Sequence, residues 1–465
     1  MNRFDIREHG ASILVAALSS TFGVVLLLVT GDLTTYIEHN QAGDHAAVQL
    51  ILSFIAWVFL LIALYTSAVV TSNTFATVIA GRTKTIALLR LLGASARGQR
   101  NAVAREGLTV GIIGGIIGFV AGVALNALTL AICQLVGFIP RLTYAYVSFA
   151  AVGPVVAVVL TTWIASWVGS RRVLLVSPMQ AIGASEERSG SEVIGRPGRN
   201  VAAILVFVFG TLLMLLGVYE GQSSPTGLLV AVFGGMISFT GIVLASKLFI
   251  PPVLRLVGRA FGTSSSAKLA AQNAVRYPER SARTTVGIVI GVTLVSMFAV
   301  ALGTYSVFVS RAQAADPQEF QGTQQLLSVL AIIFGGISGF SALIAAVGMV
   351  NNLNLSVLQR IRELGLLRAL GFTGDQVRRM IVAESAQLTL TAVVLGLVLG
   401  TLYGWAGAEA LMGANRLSGG IVWPAFPPLL IVGIVVAAAV LVWAASLAPS
   451  RRATRVTPVD ALAVE

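Results

Sequence analysis

Five arginines and three acids are packed into RIRELGLLRALGFTGDQVRRMIVAES, Arg360 to Ser385, in a chain where only 11% of residues are charged. A second segment, RTKTIALLRLLGASARGQRNAVAREG, Arg82 to Gly107, repeats nearly the same pattern 278 residues earlier. Charges spaced this way can pair ions and dock a partner, and the residues of covalent chemistry are missing around them. No GxxxxGK[ST] phosphate loop, HExxH pair, CxxC pair or nucleophile elbow occurs, so ATP hydrolysis is not expected in this chain and it is read as a non-enzyme. The histidines are His9, His39 and His45. Two of them six residues apart in a loop are read as solvated side chains, and no metal is assigned. Cys133 is the single cysteine, which rules out an intrachain disulfide.

The elements that must carry these segments are apolar. Of 465 residues 56% are hydrophobic, and the mean hydropathy is +0.88. Soluble chains carry about 25% charged residues; this one is built for lipid. A crossing helix needs about 20 apolar residues. Ten runs qualify: 11–30, 49–80, 108–136, 148–169, 200–218, 227–250, 284–309, 324–351, 386–411 and 428–449. The first is too long for a signal-peptide core and lacks a convincing cleavage site, so it is read as a span. With the N-terminus inside, the inner segments hold 28 of the 31 basic residues and the outer loops only Arg141, Arg311 and Arg416. This positive-inside bias puts both termini in the cytoplasm. The net charge of +12 sits in short segments without interleaved aromatics, which argues against nucleic acid. The spans are almost free of ionisable residues away from their ends, which argues against an ion-coupled carrier.

The charged segments belong to a duplication. Arg82, Leu88, Leu89, Arg90, Leu92, Gly93, Arg100 and Glu106 match Arg360, Leu366, Leu367, Arg368, Leu370, Gly371, Arg378 and Glu384 without a gap. Gly118 and Gly122 match Gly396 and Gly400 at the same offset, and SRRVLLVSPMQAI at Ser170 returns as SRRATRVTPVDAL at Ser450. Six spans separate equivalent positions, so the copies face the same way and form a parallel repeat. The expected fold is an all-α polytopic membrane protein of ten helices: two parallel four-helix modules, 1–183 and 263–465, joined by a two-helix connector, 184–262.

Within each charged segment Ile86, Leu88, Leu89 and Leu92, or Ile361, Leu364, Leu366, Leu367 and Leu370, form an apolar stripe at helical spacing. Gly93 and Gly371 are natural C-terminal stops, and a second helix begins near Ser95 or Thr373. Such a helix either lies at the lipid interface or docks a cytoplasmic partner, and two copies suit a two-fold symmetric partner. Glu106 and Glu384 are expected at the inner mouth of a span, paired with local arginines such as Arg82 or Arg360, with Arg100 and Arg378 nearby. Gly118, Gly122, Gly396 and Gly400 suit close helix packing within a module, with a sliding surface between modules as the alternative.

The segment Arg360–Ser385 resembles the signature that follows the second span of each FtsX/MacB-type ABC transporter permease module. The elbow-like LAAQNAVRYPERSARTT, Leu269 to Thr285, and the closing Ser177-Pro178 and Thr457-Pro458 are similar to that family too. The resemblance implies that 82–93 and 360–371 are coupling helices seated on an ATPase subunit, with Arg82, Leu88, Leu89, Arg90, Gly93, Arg360, Glu363, Leu366, Leu367, Arg368 and Gly371 as docking residues. Copy one departs at Thr85 and Ala87, where copy two keeps Glu363 and Gly365. Loops 31–48 and 310–323 leave no room for the large extracellular domain of MacB-like members. The implied function is the permease subunit of an ATP-driven exporter or extractor of a hydrophobic or amphipathic substrate: lipid, peptide or drug. The alternative is a non-transporting transmitter of motion to a cell-envelope enzyme or sensor. The implied partners are two ABC ATPase copies, which would hold ATP and Mg, and membrane lipid; an extracellular accessory protein stays open. The implied location is the bacterial plasma membrane.

Overall fold

The computed structural model describes residues 6–39, 83–135, 147–171, 197–224, 226–259, 278–315, 370–412 and 422–426, with scattered positions in 57–79, 144, 269–272 and 432–440. Among the described residues there is no strand. The helices are α1 (Ile6–His39), α2 (Thr83–Leu91), α3 (Ala96–Leu135), α4 (Val152–Gly169), α5 (Pro197–Glu220), α6 (Gly227–Leu244), α7 (Ser246–Arg259), α8 (Pro278–Ala315) and α9 (Gly374–Met412).

Among the described residues seven helical stretches are long and apolar enough to cross a membrane: Ser12–Asp32, Ala96–Leu135, Phe149–Gly169 (α4 with the 3-10 turn Phe149–Ala151 that precedes it), Asn200–Glu220, Gly227–Leu244, Thr285–Arg311 and Gly374–Leu411. They correspond to seven of the ten runs seen in the sequence. The run at 324–351, and most of 49–80 and 428–449, lie outside the described residues. Outward apolar side chains such as Leu205, Phe209 and Leu212 on α5 are exposed along whole turns, the surface of a helix solvated by lipid rather than water.

The chain forms two compact units, Met1–Ala184 and Ser185–Glu465. In the first, α3 packs between α1 and α4. In the second, α8 packs along α9, and the α5–α6 hairpin and α7 pack on α9. The hairpin closes through glycine. A Cβ on Gly210, Gly217, Gly234 or Gly241 would run into the backbone of the facing helix at Ser238, Ala231, Met214 or Phe207. Lipid offers no hydrophobic force to press two helices together, so close backbone approach and dispersion must do it. Hydroxyls then fix the hairpin to α9: Thr211 Oγ1 lies 2.9 Å from Ser238 Oγ, which lies 3.0 Å from Tyr403 Oη.

Candidate functional site

Helix α2 is short and held from one side. Ile86 and Ala87 are buried in a cluster with Ile79 and Val103 of α3. Leu88, Leu91 and Leu92 point away, and Leu92 is 85% exposed. The apolar stripe read from spacing therefore divides. Ile86 faces the protein with Ala87, whereas Leu88 and Leu92 face outward and Leu89 is half-buried.

The helix ends because Gly93 adopts φ +95°, a conformation side chains resist. Ala94 N–H then reaches back to Leu89 C=O at 2.9 Å and Gly93 N–H to Arg90 C=O at 3.1 Å, the two bonds of a Schellman stop. Ser95 starts α3 by accepting Gly98 N–H on Oγ at 3.0 Å. Copy two uses the same turn. Gly371 has φ +101°, and Thr373 exchanges bonds with Gln376: Thr373 N–H donates to Gln376 Oε1 at 2.9 Å and Gln376 N–H to Thr373 Oγ1 at 3.3 Å. This is a full capping box; copy one has only its serine half, since Gly98 stands where Gln376 does. Leu370, just before the turn, is exposed. Arg82, Arg360, Glu363, Leu366, Leu367 and Arg368 lie outside the described residues.

Beyond the turns the helices run into the membrane. Arg100 donates to Trp167 C=O of α4 at 3.2 Å and lies 3.8 Å over the Trp167 ring, a cation–π contact. Sequence reasoning missed this partner, because nothing local ties residue 100 to residue 167. Arg378, its counterpart, is exposed, Glu384 is buried and Glu106 is half-buried.

The glycines divide into two stripes on adjacent faces of α3. Gly107, Gly111 and Gly115 meet Ser166, Val159 and Val155 of α4. Gly114, Gly118 and Gly122 meet Ala16, Ser20 and Val24 of α1. In copy two Gly396 and Gly400 meet Val292, Thr293 and Ser296 of α8. The register repeats: a Cβ on Gly118 or Gly396 would approach Thr21 N or Thr293 N, and one on Gly122 or Gly400 would approach Thr21 O or Thr293 O. Two helix pairs 272 to 278 residues apart thus pack by the same contacts. The α4-facing stripe has no glycine counterpart: Ser385, Thr389 and Val393 occupy those positions.

At the far end of α9 a short segment, 422–426, is clamped in place. Trp405 Nε1–H donates to Val422 C=O at 2.8 Å, and Val422 N–H donates to Glu409 Oε1 at 2.8 Å. Ala425 N–H donates to Thr304 Oγ1 of α8 at 3.2 Å. Val422 is buried with Phe308, Val309 and Ala408. Two side chains one turn apart on α9 satisfy both backbone groups of one buried residue, which would otherwise be orphaned. Glu409→Ala is expected to strand Val422 N–H at a cost of about 1–3 kcal/mol, read as faster protease cleavage near 422 and a lower melting temperature. Glu409→Gln keeps an acceptor and is expected to behave nearly as wild type.

This is an integral membrane protein in which one helical packing arrangement occurs twice, each time behind a glycine-stopped, partly apolar turn. The FtsX-like permease C-terminal family matches residues 57–178 and 335–458, and the chain belongs to that family, with its domain present in duplicate. An uncharacterized ABC transporter permease of Methanocaldococcus jannaschii is 32% identical over 140 residues, 30% of this chain and 34% of that one. An uncharacterized permease of Bacillus subtilis, YknZ, is 26% identical over 151 residues, 31% of this chain and 34% of that one. A macrolide export ATP-binding/permease protein, MacB, of Nitrobacter winogradskyi is 27% identical over 132 residues, 28% of this chain and 19% of that one. The chain spans about a third or less of the length of these relatives.

Proposed function

We propose that this chain is the permease subunit of an ATP-driven transporter that moves a hydrophobic or amphipathic substrate, such as a lipid, peptide or drug, away from the membrane. Ten spans, both termini in the cytoplasm of a bacterial cell, and modules at 1–183 and 263–465 about a connector at 184–262 complete this reading. Two copies of an ABC ATPase dock at 82–93 and 360–371, holding ATP and Mg between them. Their closure pushes on both docking helices, and the long helices continuous with each turn carry the motion to the outer ends.

The observation that carries the reading is the exposure of Leu88, Leu91 and Leu92 on a helix anchored by Ile86 and Ala87. A helix fixed to the span on one side and apolar on the other suits a protein groove. Membrane position adds weight. The relatives named as macrolide exporters combine permease and ATP-binding parts, and this chain has no phosphate loop.

Co-purification tests the reading. A tagged chain expressed with a candidate nucleotide-binding subunit is expected to retain it, and charge reversal as Glu363→Lys with Arg368→Glu is expected to release most of it. An intact complex after both changes would refute the docking assignment at copy two. ATPase stimulation by a lipophilic compound in the reconstituted complex supports transport; stimulation only by a protein partner supports a transmitter of motion.

A further inference from the structure

The connector makes a cavity with the second module that the docking mechanism does not use. About 280 Å³ of space lies between α5, α6, α7, α8 and α9, lined by Phe207, Phe239, Phe249, Pro252, Val289 and Leu399 among others. Ligand pockets run to roughly 300–1,000 Å³, so this one sits at the small end and suits a single hydrocarbon chain better than a drug-sized molecule. Its walls are almost wholly apolar, and it is partly open. Water gains nothing in such a space, and the bilayer supplies chains to fill it.

One helix that borders the cavity carries exposed cations. Helix α7 buries Ile250, Leu254 and Gly258 on one face. On the other, Pro252, Arg255, Leu256 and Arg259 are exposed at the i, i+3, i+4, i+7 spacing of a single stripe. Pro252 lines the cavity, so the stripe leads from the cavity edge to two guanidinium groups. No acidic residue occurs in α7 to neutralise them. The shelf is fixed: buried Gln387 of α9 donates Nε2–H to Leu254 C=O at 2.8 Å. A Cβ on Gly258 would come within 2.6 Å of that same nitrogen, so α7 approaches α9 as closely as glycine allows.

We propose that this cavity holds one acyl chain of an anionic phospholipid whose phosphate lies against Arg255 and Arg259. Basic pockets between membrane helices recognise anionic headgroups in this way, and the apolar slot adds the chain contact that a surface stripe lacks. The lipid would lie between connector and second module, wedged where α5–α7 meet α8 and α9. The site needs only that these helices lie in a bilayer. It stands apart from the ATPase-docking reading, which is tested by co-purification.

The full-length chain, purified in zwitterionic detergent, is mixed with equal amounts of dioleoyl phosphatidylglycerol and dioleoyl phosphatidylcholine. Native mass spectrometry then counts bound lipid. Phosphatidylglycerol adducts are expected to exceed phosphatidylcholine adducts in the wild type. Arg255→Gln with Arg259→Gln is expected to erode that preference roughly fivefold per arginine while leaving phosphatidylcholine adducts in place. Val289→Trp, which fills the cavity from α8, is expected to remove the most tightly held adduct of either lipid. Leu399→Phe fills it more gently from α9 and serves where the tryptophan variant melts early. Equal binding of the two lipids by the wild type would overturn the proposal, as would adducts indifferent to both filling variants.

Discussion

Gly118→Leu is expected to keep α1 from seating on α3 and to leave the first unit unfolded in detergent. The glycine faces backbone, which cannot rotate aside. A Cβ at 118 would overlap Ala17 C=O and would lie 2.5 Å from Ser20 Cβ and 2.8 Å from Thr21 N. Overpacking a tight interface costs about 1–3 kcal/mol or more, and a whole leucine at a backbone crossing belongs at the upper end. Gly118→Ala and Gly153→Ala give a sharper contrast. Both replace a helical glycine, a change that gains about 1 kcal/mol where space allows. Gly153 has no atom within 4 Å of its would-be Cβ, so its alanine is expected to raise the melting temperature slightly, whereas alanine at 118 lowers it. Equal and positive shifts would show that the α1–α3 crossing is looser than described.

Leu88→Asp combined with Leu92→Asp is expected to leave the fold unchanged and abolish retention of a nucleotide-binding subunit. Leu92 is 85% and Leu88 54% exposed, so neither supports the core, and exposed substitutions usually shift stability by no more than about 0.5 kcal/mol. Buried at an interface, each would count among the few contacts that matter, at about 2 kcal/mol or more when lost. Together they weaken binding by roughly a thousandfold. Ile86→Asp is the control of opposite character: it breaks the buried cluster with Ile79 and Val103 and should cost stability directly. Undiminished co-purification by the double variant, with a normal melting curve, would move the docking surface away from α2.

Much of this was legible because membrane helices obey few rules. The apolar runs, the basic loops and the 278-residue repeat are one-dimensional signals, and the turn glycines announce themselves because only glycine adopts φ near +95° or +101° without strain. The two glycine stripes of α3 were half legible. Spacing of four marks a close crossing, but it does not say which partner each stripe meets, since Gly114 and Gly115 are neighbours in sequence and face different helices. The grip of Arg100 on Trp167 and of Glu409 on Val422 could not be read at all. Both join residues whose nearness depends on how far one helix climbs along the next.

By itself, then, the amino-acid order determined that this is a lipid-embedded, duplicated helical protein with charged segments between its apolar runs, because hydrophobic length and charge placement act on each segment alone. Only the tertiary structure decided that Ile86 and Ala87 anchor α2 while Leu88 and Leu92 are left outward. It also brought α5, α6 and α7 together with α8 and α9 around a cavity. Helix rotation and depth fix these outcomes, and both depend on pairs of backbones meeting at glycine, a property of two segments together that neither carries alone.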